Sequence, residues 1–292
     1  MGHDHTHQHK PSNIKLAFFL NLVFTVFEII GGIYVNSIAI ISDAIHDLGD
    51  TLSLGTAWYL QTKSKQEADN TFSFGYARLS LLGALITCIV LIVGSIFIVN
   101  QAVERLFAPE ETNATGMLVF AIFGMAVNGY AAWKLKDGQS MNERVVSWHM
   151  VEDFLGWVAV FVVAIILHFV DAPYLDPLLS IFITAYILWN VFKRLKETLF
   201  LFLQGTPKEI DLLEVKTGIA KLPFVESLHH THIWSLDGEH HVFTTHVTLK
   251  KVDSLQQLQD YKMALNKHVH QYNFTHFTIE IELDEEDCSL HA

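Results

Sequence analysis

Charge is what this chain has least of. Only 17% of its 292 residues are Asp, Glu, Lys or Arg, where a soluble chain of this length carries about a quarter. The deficit is local: LLGALITCIVLIVGSIFIV (81–99) and WVAVFVVAIILHFV (157–170) are far more apolar than an amphipathic core helix. About 20 apolar residues cross a bilayer core, so these read as membrane spans and the chain as an integral membrane protein. Cysteine is nearly missing too. Cys88 and Cys288 lie far apart with no C-x-x-C spacing, which argues against a disulfide framework and a thiolate zinc site. Basic residues are in the minority, 19 against 31 acidic, giving a net charge of −12; nucleic acid is a poor partner for such a chain. With 17 His beside that excess of acid, divalent cations are the partner that the composition favours. No cleavable signal peptide is expected, because the first apolar stretch, from near Ile14, is too long for a signal h-region and lacks a small-residue cleavage site.

Six spans are expected, at 14–35, 38–62, 78–103, 115–135, 146–170 and 177–200. Each must be helical, since backbone groups in lipid need partners within their own segment. Lys10, Lys15, Lys63, Lys65, Arg78, Lys134, Lys136, Arg144, Lys193, Arg194 and Lys196 fall at one set of span ends, and Arg105 alone at the other. The positive-inside rule then puts both termini in the cytoplasm. After LQGTP (203–207) the pattern changes to mixed polar and apolar sequence. PKEIDLLEVKTGIAKL has helical spacing, FVESLHHTHIWSL and HHVFTTHVTLKK alternate as strands around an Asp237-Gly238 turn, SLQQLQDYKMALNKHVHQY is helical, and FTHFTIEIELD alternates again. The expected class is a six-helix membrane domain (14–205) followed by a cytoplasmic α+β domain of order α-β-β-α-β (206–292). Residues 1–13, with HDHTHQH, form a His-rich cytoplasmic tail.

SDAIHDLGD (42–50) interrupts the second span with three Asp and one His. His46 and Asp50 are four apart and share a helix face. WHMVEDFLGW (148–157) repeats the spacing in the fifth span with His149 and Asp153. Charged groups at bilayer depth are costly unless paired, hydrated or metal-bound. One such pair alone also fits a hydrogen-bonded contact between helices. Two pairs together supply two imidazole nitrogens and two carboxylate oxygens, a set that suits four-coordinate Zn²⁺ with bonds of about 2.0–2.2 Å. Asp43, three residues before His46, stands next to the site, either on a cation pathway or behind the ligands as a supporting group. Asp47 and Glu152 point about 100° away from the ligands and are not chosen. Asn21, Glu28 and Asn128 either bond between helices or line the aqueous pathway. Asp176-Pro177 reads as the cap and first turn of span six.

These residues resemble the cation diffusion facilitator family, zinc exporters of bacteria and eukaryotic organelles. The resemblance runs through NLVFTVFEIIGGIYVNSIAIISDAIHDLGD, FSFGYARLSLLGALI, HMVED, DPLLSIFITAYILW, LQGTP, HTHIWSLDGEHHVFTTHV and TIEIE. It implies a homodimer, Zn²⁺/H⁺ antiport, and one transport site per protomer made by His46, Asp50, His149 and Asp153. The two-His form of that site implies Zn²⁺, often with Cd²⁺ or Co²⁺; ligand hardness gives the same order. Two departures stand out. In QEADNTFSFGYA (66–77) Asp69 is present, but Phe72 and Tyr76 stand where bacterial members place histidines, so a site in that loop is not expected. Trp157 stands where a small residue is usual, and is expected to narrow the cavity.

In the tail, His229, His230, His232, His240, His241 and His246 crowd the first two strands, and His276, Glu280 and Glu282 lie on the last. A solvated His-rich surface and a metal site are both open on the residues alone. The resemblance implies zinc at positions matching His229, His246 and Glu282, with His276 kept as a fourth candidate. His232, in HIW, reads as structural.

Free imidazole titrates near a pKa of about 6.5, so at His46 and His149 metal and proton compete for the same nitrogens. The expected function is proton-coupled Zn²⁺ efflux by alternating access, with no organic cofactor. The expected partners are divalent ions, protons, membrane lipid and a second copy of the chain. A membrane-embedded metalloenzyme is the alternative from another class, but it needs an open coordination position and a general base; a metal sensor needs no site at mid-membrane. The expected location is a bacterial plasma (inner) membrane.

Overall fold

The computed structural model describes residues 11–63, 68–135 and 141–283; the His-rich start lies outside them. Six long helices come first: α1 (Pro11–Val35), α2 (Ile38–Lys63), α3 (Leu79–Phe107), α4 (Ala114–Leu135), α5 (Met141–Phe169) and α6 (Leu175–Phe202). The shortest, α4 at 22 residues, is about 33 Å long at 1.5 Å per residue, enough to cross a bilayer core. Five of the six are also apolar enough to do so. The exception is α2, as long as its neighbours but loaded with Asp43, His46, Asp47 and Asp50. Large apolar side chains point outward on the others, with Phe182 and Trp189 each 75% exposed and Ile30 63%. Faces of this kind meet lipid tails rather than water. The chain is an integral membrane protein.

The described residues form two compact units. One comprises α1, α2 to Thr62, and Gly83–Leu195; the other comprises Lys63–Leu82 and the chain from Lys196. In the first, Val35, Ile40, Met117, Trp157 and Val160 make a buried cluster between helices. Arg105 donates to the carbonyl of Asn36 and pairs with Glu110 at 3.1 Å, which ties the α1–α2 turn to the segment after α3. The start of α2 is held from α6. Asp176 is fully buried, and its carboxylate accepts from Ser37 Oγ at 2.5 Å, Ile38 N–H at 2.8 Å and Ala39 N–H at 3.4 Å. The sequence places Asp176 as the cap of its own helix; the structure shows it capping α2 instead. The reason is electrostatic, since the first turn of a helix presents unpaired N–H groups that attract a carboxylate from any direction.

In the second unit, α7 (Leu212–Ala220), β1 (Val225–Ser235), β2 (His241–Leu249), α8 (Leu255–Val269) and β3 (His276–Leu283) follow in the expected order. Asp211 caps α7 by accepting from Leu213 N–H, and Ser254 caps α8 by accepting from Gln257 N–H. β1 and β2 pair antiparallel around a turn in which Gly238 takes φ +102°, while β2 and β3 pair parallel. A parallel partner cannot be reached by a tight turn, so α8 serves as the crossover. Val215, Ile219, Phe243, Val247, Leu265 and Val269 are buried between helices and sheet, each large side chain contributing about 1.5–3 kcal/mol relative to exposure.

Candidate metal centres

Helical periodicity positions the first constellation. His46 and Asp50 lie one turn apart on α2, with His46 Nε2 3.8 Å from Asp50 Oδ2. Asp153, on α5, brings Oδ1 to 3.9 Å from the same nitrogen. The three residues line a cavity of about 440 Å³ together with Asp43, Glu152 and Gly156. Its remaining walls are mostly apolar side chains of α3, α5 and α6, so charge in it is less screened than in bulk water. His149 is on α5, its side chain outside the described residues. Asp43 reaches α5: its Oδ1 lies 3.7 Å from where a β-carbon on Gly156 would stand.

The second constellation depends on a break in strand regularity. His229 pairs with His246 and His232 with Thr244, so β1 carries one residue more than β2 between these pairs. This is a β-bulge, and His230 within it takes a left-handed φ of +46°. Successive residues of a regular strand face opposite sides, yet here the rings of His229 and His230 both stand beside His246, with centroids 5.3–5.4 Å apart. Glu282 of β3 lies between two of them. Its Oε1 is 2.7 Å from His246 Nδ1, and its Oε2 is 2.9 Å from His229 Nε2. Donor atoms of His229, His246 and Glu282 all lie within 4.8 Å of one another. A tetrahedral zinc with bonds of about 2.0–2.1 Å separates its donors by about 3.3 Å, so this set fits such an ion with small adjustments.

A family-wide sequence pattern described as the cation efflux transmembrane domain matches residues 14–203. The chain belongs to the cation diffusion facilitator family. Among its curated relatives is the metal cation efflux system protein CzcD of Cupriavidus metallidurans, 33% identical over 100% of this chain and 94% of the relative. The zinc transporter ZitB of Yersinia pseudotuberculosis is 32% identical over 96% and 92%. A cadmium, cobalt and zinc/H⁺-K⁺ antiporter of Bacillus subtilis is 29% identical over 97% and 93%.

Other expected residues of this cation diffusion facilitator stand elsewhere. His276 is not part of the tail group. It opens β3 opposite Val242, six residues or about 20 Å of strand from Glu282, and its ring meets Phe74 edge-on at 5.4 Å. Asn128 donates to the carbonyl of Gly124 within α4, and neither it, Asn21 nor Glu28 is among the residues lining the cavity. Trp157 does not narrow the cavity. Its indole packs on Gly124, whose missing β-carbon makes the room, and meets Phe24 of α1 edge-on. In the loop before α3, Asp69 is committed locally: Oδ1 accepts from Thr71 and Phe72 N–H, and Oδ2 accepts from the Tyr76 hydroxyl at 2.6 Å. The Tyr76 hydroxyl first, then the two amides, hold the Asp69 carboxyl below its ordinary pKa.

His230 is the residue that sequence reasoning passed over. Strict alternation assigns it to the face opposite His229, and only the bulge reverses that. The available signal was the doublet of His229 and His230 opposite His246, since His tolerates left-handed backbone better than most residues.

Proposed function

We propose that this chain exports Zn²⁺ from the cytoplasm in exchange for protons. The observation that carries the reading is the meeting of His46 and Asp50 with Asp153 at a cavity inside a bundle of membrane-length helices. His149, one turn before Asp153, is the fourth ligand in this reading. Two carboxylates neutralise the divalent charge of the substrate, which lowers the cost of holding it in a poorly solvated site. Zn²⁺ requires neutral imidazoles and ionised carboxylates, so protons compete with it for the same four side chains. With the cavity open to the cytoplasm, the deprotonated site takes up the ion. With the cavity open to the far side, protons displace it, and the protonated site returns. Net transport needs a difference in affinity between the two states. The four residues provide it if their spacing changes as α2 and α5 shift. Cd²⁺ and Co²⁺ suit the same donors, and the names of the relatives support both.

The chain acts in this reading as a homodimer in a bacterial plasma membrane, with both termini cytoplasmic. The lysine and arginine asymmetry and the bacterial relatives support that placement. Residues 14–205 form the carrier, and residues 206–292 form a cytoplasmic domain for dimerisation and metal binding. There His229, His230, His246 and Glu282 hold a regulatory or structural zinc ion, and residues 1–13 act as a His-rich cytoplasmic tail. The carrier makes and breaks no covalent bonds, so it is not an enzyme.

The test is flux into proteoliposomes loaded with a zinc-sensitive dye under an imposed pH gradient. Wild type is expected to accumulate zinc at a rate set by the gradient, and Asp50→Ala to accumulate none above empty vesicles. Flux that ignores the gradient, or survives in the variant, removes the proposal.

A further inference from the structure

Two polar stripes meet where α1 packs on α2. Asn21, Thr25 and Glu28 are spaced four and three along α1, and Asp43, Asp47 and Thr51 are spaced four along α2, so each set lies on one helix face. At one end every donor is used. Asn21 Nδ2 donates to the Asp47 carbonyl at 3.0 Å and to Thr51 Oγ1 at 2.9 Å. Thr25 Oγ1 donates to the Asn21 carbonyl and lies 3.3 Å from Thr51 Oγ1. The Glu28 end differs. Glu28 is fully buried, and no donor reaches either of its carboxyl oxygens. α1 and α2 run antiparallel through the Asn36–Ser37 turn, so Glu28, two turns on from Asn21, stands level with Asp47 and Asp43, one and two turns back from Thr51. Carboxylates are acceptors only, and an uncompensated buried carboxylate costs several kcal/mol. A cation at this end of the seam supplies the positive charge that Glu28 lacks.

We infer that Glu28, Asp47 and Asp43 form a second cation site, made of oxygen donors alone, beside the cavity that holds His46, Asp50 and Asp153. Its role in a transport cycle rests on the export reading above; its chemistry does not. The donors are carboxylates, with the hydroxyls of Thr25 and Thr51 farther along the seam and no imidazole or thiolate in the set. Such a set selects hard cations of the Mn²⁺ and Mg²⁺ class over soft ones. Two or three negative charges match a divalent ion rather than a monovalent one. α2 thus carries two i,i+4 pairs about 60° apart: His46 with Asp50 on the cavity, and Asp43 with Asp47 toward Glu28. Asp43 belongs to both surroundings, since it also lines the cavity. An ion passing from the seam to the cavity therefore keeps a carboxylate beside it throughout.

The probe is Mn²⁺ alone, with the free ion counted by electron paramagnetic resonance. The full-length chain in lipid nanodiscs carries Asp50→Ala together with His246→Ala, so that both His-containing sets are broken. This parent is expected to retain about one Mn²⁺ per chain, and adding Glu28→Gln to weaken it by roughly tenfold or more, as loss of a ligand does. Asp47→Asn, which removes the facing carboxyl from the other helix, gives the same loss, and Glu28→Asp keeps binding. A parent that binds no Mn²⁺ overturns the inference, as does binding indifferent to both Glu28→Gln and Asp47→Asn. Wild-type zinc flux separates the two readings. If flux fails while Mn²⁺ binding depends on Glu28, only the export reading falls; if flux holds while binding ignores Glu28, only the second site does.

Discussion

Replacing Asp176 by Ala tests how the polar helix α2 is held in place. The carboxylate accepts from the Ser37 hydroxyl at 2.5 Å and from Ile38 N–H at 2.8 Å; the 3.4 Å contact with Ala39 N–H is long enough to count for little. Both Asp176 and Ser37 are fully buried, so water cannot take over the orphaned donors. A buried donor left without an acceptor costs about 1–3 kcal/mol, and two of them cost about 2–6 kcal/mol. Relief from desolvating the carboxylate offsets part of that, leaving a destabilisation of about 3 kcal/mol. For a unit of this size that corresponds to a melting temperature lower by about 6–12 °C. Asp176→Asn keeps one acceptor oxygen and is expected to fall about midway. The assay is thermal unfolding of the purified chain in detergent, followed by tryptophan fluorescence, with zinc flux measured in parallel. Flux is expected to fall with stability although Asp176 touches no proposed ligand. An Ala variant that melts within about 2 °C of wild type would refute the argument, because it would mean that desolvation cancels the cap.

Three further outcomes follow from the same geometry. In the full-length chain with Asp50→Ala, so that the membrane set is broken, adding either His246→Ala or Glu282→Gln is expected to lower bound zinc by about one ion per chain, measured by equilibrium dialysis; unchanged stoichiometry would leave the histidines as a solvated surface. Trp157→Ala empties a buried site against Gly124 and is expected to cost about 3–5 kcal/mol of stability in the same melting assay. It should leave the preference among Zn²⁺, Cd²⁺ and Co²⁺ in flux competition unchanged, since the indole faces away from the cavity. Tyr76→Phe removes the main contact that holds Asp69 below its ordinary pKa, so the carboxyl should titrate closer to the ordinary aspartate value of 3.8 by side-chain NMR. The sign is that of a depressed acid: the Asp69 clasp contributes fully above the unfolded pKa and is lost as pH falls through the lower folded value. The loop of the wild type should therefore outlast that of the variant on acidification.

The helices were legible because lipid leaves the backbone one option: each expected span overlaps a helix, with ends that differ by a few residues. The pair of His46 with Asp50, and its approach to Asp153, were legible for a related reason, since a fixed 3.6-residue period turns spacing into direction. What remained hidden depends on neighbours that no local period describes. Asp176 sits at the start of α6, and nothing in its own segment says that its carboxylate turns to the first turn of α2. Trp157 lies one turn beyond Asp153, and spacing alone would aim it at the same cavity; a glycine on α4 draws it away. His230 was lost to the assumption of a regular strand, and His276 was gained wrongly because a strand's length was not counted against the size of a metal site.

The two halves of the membrane site are held by different forces, and the difference bears on function. α5 makes its most extensive pairing with α4, through apolar contacts that include Trp157 against Gly124. α2 is held by polar bonds along its length: Asp176 at its start, Ser42 with Thr184 of α6 at 2.9 Å, and Asn21 of α1 at the Asp47 carbonyl and Thr51. Apart from the fully buried Asp176 cap, such bonds contribute little to stability in a membrane, on average about 0.6 kcal/mol each. Their directionality matters more. A helix that is apolar all round slips against lipid and neighbours with few penalties, whereas a hydrogen bond fixes its rotation. With side chains about 5–6 Å from the axis, a rotation of about 20° moves a ligand atom by about 2 Å. Metal bonds tolerate only about 0.2 Å. Bonds that are weak as stabilisers are therefore strong as constraints on where His46 and Asp50 stand relative to Asp153, and that is why a cavity lined by one polar helix needs polar contacts so far from it.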